Sequence, residues 1–376
     1  METHNVGYHE SSFLDKEGKV RSLKIPVVQE LAGRGLARLP DNFKRFHHPN
    51  LTPTAFHDVP TINMAFLKHG SDPMARAQEL AKLAQAANHL GLFLIHDHGI
   101  AKEVVEGARE AIRGFFELSY EEKKASVGSY DNDVNNIGYA GNSNVKSDDQ
   151  AWDWVDRLGL RAFPPIAPHE NLHVWPLKPS NFREAVEAYV GEARRVMDSI
   201  LVSLAEALSL ENYDVFLKYF HPKDSEIKLR VNYYPPCPSP DQTLGLFPHS
   251  DPSGLTFLSQ FGSSHGLQVF SREDRTWLTA SWPQDQLLVI VGDLLEIMSN
   301  GKLQSTWHRA VPLRDVARGS IALFYNPPPK TLIEPVAAAD GQDDAYRKVV
   351  VEDYVKHYYK VIPNVDKMAI NFAKLN

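Results

Sequence analysis

Leu229-Arg230-Val231-Asn232-Tyr233-Tyr234, closed at once by Pro235-Pro236, is an alternating run ended by a turn signal. It begins a change of texture. Short apolar or alternating runs recur at 255–259, 267–269, 277–280, 287–291, 307–311 and 321–325, with turn residues between them. Strands of that length and spacing predict an antiparallel barrel or jelly roll. Upstream the period is helical: the spacing predicts helices over 71–90, 101–118 and 180–208, with a short buried strand at 93–96. The expected class is mixed α and β, a helical N-terminal half packed on a C-terminal barrel.

The chain divides into an irregular Pro-punctuated arm (1–60, with a short helix near 27–36), a helical region (61–225), a barrel core (226–335) and a C-terminal helical segment (336–376, with a helix at 349–359). Residues 128–149, rich in Asn, Gly, Ser and Asp, read as one long loop. Composition narrows the function. In 376 residues the net charge is −7, and no basic block stands out, which argues against nucleic acid. The one cysteine, Cys237, excludes an internal disulfide framework and a multi-cysteine metal site, and fits a reducing compartment. No apolar run is long enough to span a membrane and no leader is evident, so a cytoplasmic monomer without membrane contact is expected.

His249-Ser250-Asp251 and His308 lie inside the barrel region. In a strand, residues i and i+2 share a face, so His249 and Asp251 can aim together into the barrel mouth with His308 from a facing strand. Two histidines and one carboxylate leave open positions on a metal and suit non-haem iron(II) oxygen chemistry. An H-x-D pair alone is weak, and His96-Asp97-His98 shows why: it also offers two histidines and a carboxylate, but its position before Gly99 reads as a structural turn. What singles out His249 and Asp251 is their company. Arg318 and Ser320 share a strand face and form a fork plus a hydroxyl suited to one carboxylate. Asn232 and Tyr234 share another.

These clusters resemble the plant-type 2-oxoglutarate- and iron(II)-dependent dioxygenases, the group of anthocyanidin synthase, flavonol synthase, jasmonate hydroxylases and codeine demethylase. The carrying segments are Asn232–Pro238, Leu244–Thr256, Gly266–Val269, Gly292-Asp293, Ser299–Gly301, His308–Val311 and Phe324–Pro327, with Gly91–Ile100 earlier. The resemblance runs from about residue 58 to the end. His96-Asp97 stands where Val-Asn is commoner, and Trp307 where a residue such as Glu precedes the last histidine. It implies a distorted double-stranded β-helix (jelly roll) core over 226–335, with N-terminal and flanking helices. It implies Fe(II) on His249, Asp251 and His308, and 2-oxoglutarate held by Arg318, Ser320 and Tyr234 with Asn232 nearby. O₂ is then consumed, succinate and CO₂ are released, and ascorbate is expected to stimulate. The implied substrate is a small specialised metabolite or hormone that is hydroxylated, desaturated or demethylated.

By motif position the substrate candidates are Arg230, Phe324, Asn326, Tyr139 and Trp152. The aromatic members suit a largely apolar or aromatic molecule, and Arg230 suits an anionic or strongly hydrogen-bonding group on it. Two alternatives stay open from sequence: an iron oxidase of the same fold that does not use 2-oxoglutarate, and a cupin-like barrel that binds without turnover.

Overall fold

Strand alternation and helix capping set the architecture, seen in a computed structural model that describes residues 6–14, 19–45, 54–55, 59–127, 137–141, 150–164, 174–337, 343–361 and 369–375. The chain opens with a hairpin, β1 (Tyr8–Leu14) and β2 (Val20–Pro26), then a short helix, α1 (Val28–Gly33). Next come β3 (Thr54–Ala55), β4 (Thr61–Asn63), α2 (Pro73–His89), β5 (Leu92–His96), α3 (Lys102–Glu117), α4 (Tyr120–Ser126), β6 (Gly138–Ala140) and β7 (Asp156–Phe163). The long α5 (Phe182–Ala207) leads to β8 (Glu226–Tyr234), β9 (Leu246–His249), β10 (Leu255–Gly262), β11 (Leu267–Ser271), β12 (Thr276–Ala280) and β13 (Leu287–Val291). The remainder is α6 (Asp293–Met298), β14 (His308–Ala310), β15 (Arg318–Asn326), β16 (Leu332–Ile333), β17 (Val349–Val350) and α7 (Val351–Val361).

Local chemistry explains the boundaries. Asp72 caps α2 by accepting from the Ala75 N–H, and Pro73 opens the helix, where its missing N–H costs nothing. Gly91 stops it at φ +66°, and a Cβ there would lie 1.9 Å from the Gln304 carbonyl oxygen, so no other residue fits. Ser119 and Glu122 form a reciprocal capping box on α4.

The strands form an eight-stranded sheet, ordered β4-β5-β13-β10-β15-β8-β7-β6, and a five-stranded sheet, ordered β3-β12-β11-β14-β9. These two sheets make the jelly roll. The large sheet is apolar on both faces, as expected when each is covered. One face packs Phe93, Leu229, Val231, Phe257 and Leu323 with α5 residues such as Val190 and Met197 in the main core. The other packs Leu94, Leu258, Leu288 and Ile290 with Leu267 and Val269 of the small sheet. Toward β8 and β7 this inner face turns polar, and there the cavity lies.

Three expectations need correction. Residues 1–60 are not all irregular, since β1 pairs antiparallel with β2 from Tyr8↔Pro26 to Leu14↔Val20. The N-terminal half holds more strand than the one expected at 93–96, which is β5: β4, β6 and β7 join the large sheet as well. In β7 the buried Leu158, Leu160 and Ala162 alternate with Arg157, Gly159 and Arg161, a period of two rather than 3.6. The expected long loop falls mainly on residues 128–136 and 142–149, outside the described residues; between them β6 pairs with β7. Among the described residues, no helix is long and apolar enough to cross a membrane.

Candidate metal centre and its cavity

β9 ends on His249 and β14 begins on His308, and the two are direct register partners. Their ring centroids are 4.2 Å apart. Each ring is oriented from behind: Nδ1 of His249 lies 2.9 Å from the Phe247 carbonyl oxygen, and Nδ1 of His308 lies 3.0 Å from that of Thr306. A carbonyl oxygen only accepts, so each Nδ1 carries the proton and each Nε2 keeps its lone pair for a metal. Both Nε2 atoms face Asp251 Oδ1, at 3.6 and 3.7 Å. Burial, and then the neighbouring His308, hold His249 well below the usual imidazole range, so it is neutral.

Asp251 is not in the strand, as the i, i+2 argument supposed, but in the turn after it. Its carbonyl oxygen accepts from the Asp293 N–H at 2.8 Å. The turn is held again where Ser250 Oγ donates to Asp293 and Tyr358 Oη donates to the Ser250 carbonyl at 2.7 Å. Asp293 also accepts from Ser305 Oγ and Tyr354 Oη, both at 2.6 Å. The C-terminal helix α7 is thereby tied to the ligand turn. The three candidate ligand atoms lie within 4.8 Å of one another, and buried Asp251 Oδ2 has no hydrogen-bond partner. An unpaired buried carboxylate oxygen beside two aligned imidazole lone pairs is costly unless a cation neutralises it. The donor set fits Fe(II).

Beyond the triad, the register of β15 on β8 pairs Arg318 with Tyr234 and Ser320 with Asn232. Asn232 Nδ2 lies 3.5 Å from Ser320 Oγ, and the Arg318 guanidinium sits over the Tyr234 ring at 5.5 Å. Arg318 is 2 % exposed, and its Nε and Nη2 have no partner. Burial lowers its pKa, yet a guanidinium stays charged. A buried cation with two unpaired donors, close to a metal site, fits the far carboxylate of 2-oxoglutarate.

Both groups open on one cavity of about 330 Å³. Its floor is the inner face of the large sheet, read in rows: Arg157, Asn232 and Ser320; then Arg230 and Ala322; then Lys228 and Phe324. Leu258 and Ile290 continue it, and α7 closes one side with Val355 and Tyr359. Of the five substrate candidates, Arg230, Phe324 and Asn326 line this cavity. Tyr139 and Trp152 do not. Tyr139 is buried edge-on against His9 at 4.9 Å and Phe115 at 5.6 Å, and Trp152 packs edge-on against Phe43 at 5.4 Å. Large aromatic rings flanking a polar loop found apolar neighbours instead.

The sequence reading missed Arg157, Lys228 and the α7 wall. The Arg157 signal was present in the β7 alternation, but its partner strand was not evident.

Residues 226–327 match the 2OG-Fe(II) oxygenase superfamily, and residues 59–178 match the non-haem dioxygenase in morphine synthesis N-terminal family. The chain is 35% identical to oxoglutarate-dependent flavonoid 7-O-demethylase 1 of Ocimum basilicum, over 89% of this chain and 87% of that one. It is 33% identical to codeine O-demethylase of Papaver somniferum, covering 84% and 86%. The crystal structure of JOX2 in complex with 2OG, Fe and JA superposes with a TM-score of 0.79 at 30% identity, covering 94% of this chain and 98% of that one. The rice dioxygenase for auxin oxidation, at 21% identity and a TM-score of 0.66 over 85% and 100%, shares the fold. The chain belongs to the 2-oxoglutarate- and iron(II)-dependent oxygenases, enzymes of the jelly-roll fold whose relatives act on specialised metabolites and hormones.

Proposed function

We propose that this enzyme oxidises a small, largely apolar or aromatic metabolite in the cavity over β8 and β15, with His249, Asp251 and His308 holding Fe(II). Arg318, Ser320, Tyr234 and Asn232 orient 2-oxoglutarate, and Arg230, Phe324 and Asn326 meet the substrate. The observation that carries this is the coincidence of unpaired buried atoms: Asp251 Oδ2 and the Arg318 Nε and Nη2 open on one cavity. Fe(II) with 2-oxoglutarate supplies the oxidising chemistry, in which O₂ is reduced and the keto acid leaves as succinate and CO₂. The chain's own residues do the rest. Two carbonyls fix the imidazole tautomers, Arg318 fixes one end of the diacid, and the apolar wall excludes water from the reacting end.

Every proposed ligand comes from one chain, which supports action as a monomer. The lone buried Cys237 suits a reducing compartment and a cytoplasmic location. Anaerobic titration of Fe(II) and 2-oxoglutarate, followed by a metabolite screen read by succinate release, tests the assignment. Failure of 2-oxoglutarate to bind, or turnover without it, would overturn the reading.

A further inference from the structure

In β8 the alternation that buries Ile227 and Leu229 turns Lys228 to the cavity, half-buried, with Phe324 of β15 as its register partner on one side and Arg161 of β7 on the other. Its ammonium has no hydrogen-bond or ion-pair partner among the described residues. The carboxylates within the cavity are turned elsewhere. Three line it: Glu226, Asp251 and Glu352. Glu226, two residues before Lys228, faces Arg161 Nε at 3.7 Å. Glu352 pairs with Lys330 and, at 3.2 Å, with Lys356. Asp251 faces the two histidines of the metal site.

An ammonium on a cavity wall is stable while water fills the cavity. A ligand that covers it with hydrocarbon strips that water away, and a cation so stripped is costly unless the ligand returns an acceptor. A second polar group stands beside it. Asn326 lines the cavity, is 8 % exposed, and lies diagonal to Lys228 across the β8–β15 ladder. Its one side-chain hydrogen bond runs from Nδ2 to the Phe324 carbonyl at 3.3 Å, so a second amide N–H remains to donate. An ammonium and an amide N–H side by side match the two oxygens of one carboxylate. This end of the cavity is not the cosubstrate clamp. Lys228 is four residues from Asn232 along the strand, about 13 Å at the usual rise per residue. Its register partners are Phe324 and Arg161, whereas Asn232 pairs with Ser320.

We propose that Lys228 and Asn326 form the specificity-determining end of the substrate site, and that they take a carboxylate carried by the substrate at the end remote from Arg318. The apolar skeleton of that substrate lies against Phe324 and Ile290. This rests on the reading of the cavity as the oxygenase's substrate site. Lys228 selects the charge, Asn326 fixes the orientation of the carboxylate, and the neighbouring ring takes the hydrocarbon.

The test titrates 4-phenylbutyrate and its uncharged amide, 4-phenylbutyramide, anaerobically into the full chain loaded with Fe(II) and 2-oxoglutarate, read by calorimetry. The wild type is expected to bind the acid about tenfold tighter than the amide, the worth of a charge-assisted hydrogen bond. Lys228→Met keeps most of the side chain's length and removes its charge, and is expected to abolish that preference. Lys228→Gln gives the same comparison should the methionine variant fail to fold. Equal binding of acid and amide by the wild type, no binding of the acid, or a preference that survives removal of the ammonium would each overturn the assignment. Loss of 2-oxoglutarate binding in Lys228→Met would overturn it too, by placing the lysine in the cosubstrate site. The oxygenase reading fails separately, if the wild type itself does not bind 2-oxoglutarate.

Discussion

His249 and His308 are register partners across β9 and β14, each with Nδ1 committed to the carbonyl of the residue two positions earlier, Phe247 and Thr306. The same backbone that pairs the strands therefore points both Nε2 lone pairs at Asp251. Metal binding is expected to be built into the fold rather than induced. Wild-type protein should gain about 2.7 kcal/mol of stability when Fe(II) is present at a hundredfold excess over its dissociation constant. Asp251→Ala should show no such metal-dependent shift in Tm, and no succinate formation. Near wild-type turnover in purified Asp251→Ala would remove Asp251 from the ligand set.

Arg318→Ala should weaken 2-oxoglutarate binding by about 30- to 1000-fold, corresponding to the ~2–4 kcal/mol lost with a charge-assisted bidentate contact. Metal affinity should change little. Anaerobic titration of each ligand separates the two effects, and unchanged 2-oxoglutarate affinity would move the clamp elsewhere.

Tyr358 reaches from α7 to the Ser250 carbonyl, next to a ligand. Tyr358→Phe keeps the ring and loses only the hydroxyl, and is expected to weaken Fe(II) binding by about tenfold, in the range seen for groups that orient ligands from behind. Metal titration with and without 2-oxoglutarate checks this; an unaltered metal affinity would make the contact one of helix docking alone.

Asp156 offers a pH test away from the metal. It accepts the backbone N–H groups of Val28 and Gln29, at 3.0 and 2.7 Å, and so anchors α1 to β7. Burial, the dominant influence, raises its pKa from 3.8 to about 6. The folded value exceeds the unfolded one, so the native state holds an extra proton between them. That stabilisation is complete below about 3.8 and is lost as pH rises through about 6. Asp156→Asn cannot titrate, so its stability relative to wild type should rise by about 3 kcal/mol across that window. Denaturant unfolding at several pH values measures it, and a pH-independent difference would refute the shift.

Most of the barrel was legible because its strands announce themselves twice, by alternation and by turn residues. β8 and β15 are the clearest cases: Asn232, Tyr234, Arg318 and Ser320 alternate with apolar neighbours, and the structure pairs them across one ladder. Helices α2, α3 and α5 begin and end within two residues of their expected limits, since their apolar stripes are long and their ends carry Asp72, Gly91 or a proline nearby. β7 was missed because it follows a polar stretch and pairs with a strand far along the chain. Arg157 was missed with it. Tyr139 and Trp152 were misplaced for a related reason: an aromatic residue beside a loop has the same appearance in sequence whether it faces a cavity or a core, and only packing partners such as Phe115 and Phe43 decide.

The alternation of β8 also shapes how such an enzyme changes. Ile227, Leu229 and Val231 are fully buried against α5 and its neighbours, while Lys228, Arg230 and Asn232 look the other way, into the cavity. Point substitutions at the second set can alter which molecule is accepted with little disturbance of the hydrophobic layer, so selectivity is free to drift under selection while the scaffold stays put. Insertion or deletion of a single residue has the opposite character. It would turn every side chain beyond it to the other face, driving guanidinium and ammonium groups into hydrocarbon and delivering valine and leucine to the reaction chamber. In this strand, diversification can proceed by replacement but not by change of length.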